Sequence, residues 1–225
     1  MGEGQPGGRI DWLVSQLSPS RVRLIVITDS DLAAPRDLET IVKEVLQAGA
    51  PSIQLRDKRR TVRELLPVAH RLRSLTRKFD ALLFVNDRLD LALAVEADGI
   101  HLGPDDLPVS AVRAVVPDNF LIGFSADDPD VARSAMAEGA DYLGCGTVWS
   151  TVSKQDAGDV IGLDGLRRVT EAISAPVVAI GGVSVRRAEL LPPTGAAGAA
   201  VMSAVMSAED PSEVVYRLLE QLNVV

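Results

Sequence analysis

Short apolar runs bounded by turn residues alternate with longer stretches of helical period along this chain, and that alternation restricts its fold more than any other feature. Parallel strands cannot be joined by a tight turn. They need a crossover of a dozen or more residues, usually a helix, so a repeated switch between period two and period 3.6 marks βα units in a parallel sheet. Eight strands are expected, at residues 24–28, 52–56, 82–86, 99–101, 121–124, 142–145, 177–180 and 198–202. Over residues 37–48, Leu38, Ile41, Val42, Val45 and Leu46 fall on one face of a helix that Gly49 stops. Thr61 and Glu64 have capping-box spacing for a second helix, which Pro67 is expected to kink or to displace at its start. Further helices are expected over 109–115, 129–138, 165–173, 186–191 and 211–222, with Pro192 and Pro193 ending the one before them.

Eight βα units in 225 uninterrupted residues are what closing a parallel sheet demands, so the expected architecture is α/β, a single (β/α)8 TIM barrel with a short N-terminal extension. A doubly wound open sheet is the runner-up. Residues 1–20 form the extension, where Ile10, Trp12, Leu13 and Leu17 are spaced as a short amphipathic helix that could cover the barrel bottom, and 21–225 form the catalytic domain. A composition 47% hydrophobic but only 4% aromatic suits helices on a sheet better than an aromatic-rich recognition surface.

A net charge of -8 argues against nucleic acid and anionic membranes as partners, since both require a broad positive field. It leaves room for one small phosphate pocket. A lone Cys145 excludes an internal disulfide or a multi-cysteine metal site, and reads as a small buried residue. No apolar run approaches the roughly 20 residues of a membrane span, and the first residues are Gly-rich without a signal-peptide core. The expectation is a cytoplasmic, soluble protein acting on small molecules and compatible with a homo-oligomer.

In such barrels the loops after the strands build the active face, so polar residues at strand C-termini are the first candidates. After the second strand, Gln54-Leu-Arg-Asp-Lys58 alternates, sending Gln54, Arg56 and Lys58 to one side, where two cations suit an anion. Asn86 and Asp87 follow the third strand and Asp106 the fourth. Asp87 and Asp106 are the candidate ligands of a hard divalent cation, which takes carboxylate oxygens and substrate phosphates, because neighbouring loops can converge on one ion. His101, closing the fourth strand, reads as a hydrogen-bonded structural residue rather than a base. Ser125 follows the fifth strand, and Thr151, Ser153 and Lys154 lie in the loop after the sixth. Gly181-Gly182 and Ser203 follow the last two strands, where backbone amides meet phosphate in many barrels.

The segments Ile27-Thr-Asp29, Gln54 to Lys58, Val85-Asn-Asp-Arg88, Asp98-Gly-Ile-His-Leu-Gly103 with Asp106-Leu-Pro108, Ile122-Gly-Phe-Ser125, Ala140-Asp-Tyr142, Thr151-Val-Ser-Lys154 and Ala179-Ile-Gly-Gly-Val183 jointly resemble the thiamine-phosphate synthase family over nearly the whole chain. The resemblance implies a magnesium-dependent transferase. It would condense 4-amino-2-methyl-5-(diphosphooxymethyl)pyrimidine with 4-methyl-5-(2-phosphooxyethyl)thiazole to thiamine phosphate, releasing pyrophosphate. It further implies that Gln54, Leu55, Arg56, Asp57 and Lys58, with Asn86, Ser125 and Lys154, hold the pyrimidine diphosphate, and that Asp87 and Asp106 carry Mg2+. Thr151, Val152, Ser153, the Gly182 backbone, Met202 and Ser203 would meet the thiazole phosphate. Arg56, Lys58, Ser125 and Lys154 would be the catalytic groups. Pro104, Thr147 and Ser150 around Trp149, and Ser153 depart from the family pattern and bear on loop shape, and residues 155–162 read as a lid. A thiazole tautomerase on the same scaffold and a non-catalytic thiamine-phosphate binder are the alternatives.

Overall fold

The structure, a computed structural model, describes residues 17–151 and 159–222. Its strands are β1 (Leu24–Ile27), β2 (Ser52–Leu55), β3 (Leu82–Asn86), β4 (Gly99–Leu102), β5 (Leu121–Ser125), β6 (Tyr142–Cys145), β7 (Val177–Ile180) and β8 (Gly198–Val201). They close in sequence order into a barrel, each parallel to the next and β8 returning to β1, so the open sheet is excluded. Every strand stands within a residue or two of its expected limits.

Period two explains how the strands divide their residues. Leu24, Val26, Ile53, Leu83, Ile100 and Ile122 join the core between sheet and helices. The alternate positions Ile25, Ile27, Leu82, Phe84, Leu121, Tyr142, Val178 and Ala200 form a separate cluster filling the lumen. Leu17 and Val22, which precede β1, belong to that inner cluster, Val22 from the short helix α1 (Pro19–Val22). They close the end of the lumen where the strands begin. The remainder of the expected N-terminal helix, including Ile10, Trp12 and Leu13, lies outside the described residues.

The outer layer contains α2 (Ser30–Ala33), α3 (Leu38–Gln47), α4 (Val62–Lys78), α5 (Leu89–Ala94), α6 (Val109–Arg113), α7 (Pro129–Glu138), α8 (Gly162–Ala172), α9 (Val185–Ala188), α10 (Ser203–Met206) and α11 (Pro211–Gln221). Asp37 caps α3 by accepting from the backbone N–H of Thr40. The reciprocal capping box of Thr61 and Glu64 starts α4 at Val62, and the helix continues through Pro67 without the displaced start expected of it. Arg63 and Pro67 are both exposed, so the carbonyl that loses its partner to the proline faces water. The helix α5 had no sequence signal of its own: six residues make too short a window for a 3.6 period.

Two ion pairs tie the strand N-termini together. Arg73 forks onto Asp98 at 2.6 and 3.0 Å while Asp98 accepts from the backbone N–H of Leu83. Arg113 pairs with Asp141 and donates to the carbonyls of Phe120 and Gly139, and Asp141 accepts from the N–H of Ile122. Each bridge is largely shielded and hydrogen-bonded on both sides, so removal of one partner leaves a poorly solvated charge behind.

Inside the lumen, Tyr142 lies fully buried across the position of Gly123, its ring 5.2 Å from that of Phe84. A Cβ at Gly123 would stand 2.2 Å from the Tyr142 ring, closer than any van der Waals contact. Gly123→Ala is therefore expected to destabilise the fold by about 1–3 kcal/mol through overpacking. Thermal unfolding should show a Tm lowered by roughly 2–4 °C per kcal/mol for a chain of this length.

Candidate active site

A cavity of about 360 Å³ opens where the strands end, within the size range of small-molecule sites. Its walls are polar residues from inward positions at strand C-termini: Gln54 on β2, Asn86 on β3, His101 on β4 and Ser125 on β5. Alternation continues past β2, so Arg56 and Lys58 line the cavity as well. Thr28, fully buried at the end of β1, accepts from the backbone N–H of Arg56 at 3.0 Å, which fixes the start of that loop.

The same alternation turns the intervening residues away. Leu55 is buried in the layer between sheet and helices. Asp57 accepts from the backbone N–H groups of Arg59 and Arg60 at 2.9 Å and from Arg60 Nε at 2.7 Å. Burial raises the affinity of Asp57 for a proton, but those bonds, Arg60 first, outweigh it and hold the carboxyl below its usual value. Neither residue lines the cavity. Asp57 shapes the turn that presents Arg56 and Lys58.

Asp87 and Asp106 converge as their positions after adjacent strands suggested. Both line the cavity, and their carboxyl groups are close enough to hydrogen-bond when one of them carries a proton. Asp106 also accepts from the N–H of Gly103 at 2.6 Å. Asp87 holds its backbone at φ 63°, in the left-handed region that non-glycine residues rarely adopt. Burial, followed by the hydrogen bond and charge of Asp106, pushes the Asp87 carboxyl up to about 6, against the opposing pull of Lys58 and Arg56. Burial and the closeness of the two acidic groups outweigh the two cations beside them, so a proton or a cation joining the pair would relieve it. No cluster of three or more His, Cys, Asp or Glu side chains suited to a metal occurs among the described residues. Two carboxylates are donors of the kind a hard divalent ion takes when water and ligand oxygens complete its shell.

On the opposite wall the ladder between β6 and β7 extends beyond the strands, through the N–H of Val148 to the Ile180 carbonyl at 2.9 Å and of Trp149 to the Gly181 carbonyl at 3.0 Å. Gly182, at φ 66°, packs against Trp149, whose carbonyl oxygen would lie 2.7 Å from a Cβ at that position. Arg187 donates to the Gly182 carbonyl at 2.7 Å and stands over the Trp149 ring at 5.4 Å. This platform presents Thr151, Gly181 and Gly182 to the cavity beside Met202 and Ser203 from the end of β8. Val152, Ser153, Lys154 and the first half of the expected lid, residues 155–158, lie outside the described residues.

Sequence reasoning left Asp105, Asp127 and Thr147 out of the site, and His101, read as structural, lines the cavity too. Asp127 accepts from the N–H of Gly146 at 2.9 Å, linking the loops after β5 and β6. Its place two residues beyond Ser125 was the available signal. Arg187 had none, because the ring it stands over, Trp149, comes from another loop. Cys145 faces the outer core, and burial pushes its thiol up to about 12, so it is no nucleophile.

Residues 24–205 match the sequence profile of the family described as thiamine monophosphate synthase. The chain is 45% identical over 194 residues to a thiamine-phosphate synthase of Archaeoglobus fulgidus, covering 86% of this chain and 90% of that one. It is 47% identical over 191 residues to that of Pyrococcus furiosus, covering 85% and 90%. The solved structure of a thiamine phosphate pyrophosphorylase from Pyrococcus furiosus superposes with a TM-score of 0.84 at 44% identity, covering 91% of this chain and 96% of that one.

The raised Asp87 carboxyl has a measurable consequence. Its folded-state value of about 6 exceeds the ordinary 3.8, so the folded state binds this proton more tightly than the unfolded chain. The resulting penalty is absent below about pH 4 and complete above about pH 6. Asparagine tolerates the left-handed backbone and carries no charge. In chelator-treated protein at pH 7.5, Asp87→Asn should raise stability by roughly 1 kcal/mol after allowance for solvent screening, about 2–4 °C in Tm. The gain should shrink as the pH falls from 6 toward 4, a trend that thermal scans across that range would reveal.

Proposed function

The chain belongs to the thiamine monophosphate synthase family, and from that premise we propose that it is a magnesium-dependent transferase joining 4-amino-2-methyl-5-(diphosphooxymethyl)pyrimidine to 4-methyl-5-(2-phosphooxyethyl)thiazole. The observation that carries the substrate assignment is the Asp87–Asp106 pair facing Arg56 and Lys58 in one cavity. Carboxylates alone would repel a diphosphate, and cations alone would not need them. Together they suit a diphosphate that arrives with a divalent ion.

The reaction breaks the bond between the pyrimidine methylene carbon and the diphosphate oxygen, and the electron pair leaves with pyrophosphate. A bond forms from the lone pair of the thiazole nitrogen to that carbon, giving the thiazolium of thiamine phosphate. The attacking nitrogen carries no proton, so no general base is required, and the chain's task is to stabilise charge and orient two substrates. Arg56 and Lys58 would hold the diphosphate oxygens as negative charge grows there, with Lys154 joining them from its loop. Asp87 and Asp106 would hold Mg2+, which when bound neutralises part of the leaving group's charge. Asn86, Gln54 and Ser125, which line the cavity, would orient the pyrimidine. Thr151, Ser153 and the amides around Gly182 and Ser203 would take the thiazole phosphate.

With both substrates and magnesium, the purified protein should release pyrophosphate and form thiamine phosphate in equal amounts. Chelation should stop the reaction, and Asp87→Asn or Lys154→Ala should lower kcat about 10²–10³-fold, the range seen when one group stabilising transition-state charge is lost. Tight binding of thiamine phosphate without turnover, or metal-free isomerisation of the thiazole alone, would refute the assignment.

A further inference from the structure

The cavity floor contains a hydrogen-bonded chain of which the proposed mechanism uses only the last member, Ser125. Tyr142, fully buried, has its hydroxyl 3.1 Å from Nδ1 of His101, and Nε2 of the same imidazole stands 3.0 Å from Oγ of Ser125. Three strands contribute one residue each, β4, β5 and β6, and the space is opened by glycines. Gly123 leaves room for the phenol, and a Cβ at Gly144 would meet His101 Cε1 at 3.0 Å.

The direction of these bonds follows from the buried end. A phenol has one proton to donate, and the hydroxyl of Tyr142 meets His101 Nδ1 in a lumen otherwise lined by Ile25, Phe84, Leu121 and Val178. Were Nδ1 protonated, Tyr142 would have to accept, and its own proton would be sealed from water without another acceptor among the described residues. Burial pushes the phenol far above its ordinary value, so ionised tyrosine offers no escape. Tyr142 therefore donates and Nδ1 accepts. The ring proton then resides on Nε2 and is donated to Ser125 Oγ. With an oxygen lone pair engaged by His101, the serine hydroxyl proton turns toward the cavity that Ser125 lines.

We propose that Tyr142 and His101 are positioning residues that fix Ser125 as a hydrogen-bond donor toward an acceptor atom of the bound pyrimidine diphosphate. The serine hydroxyl by itself could donate or accept. Set by the tyrosine, its polarity selects substrates that present a lone pair there and disfavours those presenting N–H. The identity of the ligand rests on the proposed function, whereas the direction of the hydrogen bonds does not.

Long-range nitrogen–proton NMR on histidine-labelled protein reads the tautomer without substrate. The chain has two histidines, and His70→Gln on the exposed face of α4 identifies the His101 signals. The wild type should show a neutral imidazole protonated at Nε2, and Tyr142→Phe should release it into an exchanging mixture. Kinetically, Tyr142→Phe should raise KM for the pyrimidine diphosphate about five-fold, as for loss of one oriented hydrogen bond, with KM for the thiazole phosphate nearly unchanged. In a Ser125→Ala background the same substitution should add almost nothing, because its effect passes through the serine. A wild-type imidazole protonated at Nδ1, an unchanged tautomer in Tyr142→Phe, or full additivity with Ser125→Ala would overturn the proposal. Should Tyr142→Phe prove unstable, the wild-type tautomer still decides the direction. Absence of pyrophosphate release by the wild type would instead count against the functional reading.

Discussion

A closed barrel of eight strands has a lumen only wide enough for side chains, so whatever occupies the inward positions determines where protein ends and cavity begins. Here Leu17, Val22, Leu82 and Leu121 are among the apolar groups filling the lumen, and Phe84 and Tyr142 pack across its middle. The next inward places hold Gln54, Asn86, His101 and Ser125, whose polar ends face the cavity. Packing and chemistry thus share one set of alternating positions. Gly123 shows how closely they are joined: it is empty because Tyr142 needs the volume, and Tyr142 in turn reaches His101 at the cavity floor.

Electrostatics at the rim oppose the overall charge. The chain carries a net charge of -8, yet Arg56 and Lys58 enter the cavity as a local positive field, aimed there by the turn that Asp57 braces. Beside them, Asp87 and Asp106 are held together at a free-energy cost, reflected in the raised proton affinity of Asp87 and its left-handed backbone. Such an arrangement contributes little to folding. It is understandable as a site prepared for a cation and an anion arriving together. The wall built from the β6 and β7 loops brings Thr151 and glycine backbone to the cavity on a platform stiffened by Arg187 and Trp149.

The sequence by itself determined the eightfold alternation, the strand limits to within a residue or two, the capped starts of α3 and α4, and the polar residues at strand ends. These features are local: period two, period 3.6 and capping each act over a few neighbouring residues, and closure in sequence order then assigns every strand end to one face. Only the tertiary structure decided that Asp87 and Asp106 converge, that Arg187 stands over Trp149, and that His101 joins Tyr142 to Ser125. The physical reason is range. Those contacts join residues from different loops or strands, His101 and Tyr142 being 41 positions apart, and hydrogen bonds and Coulomb forces at 3 Å depend on a closure that no stretch of the chain encodes alone.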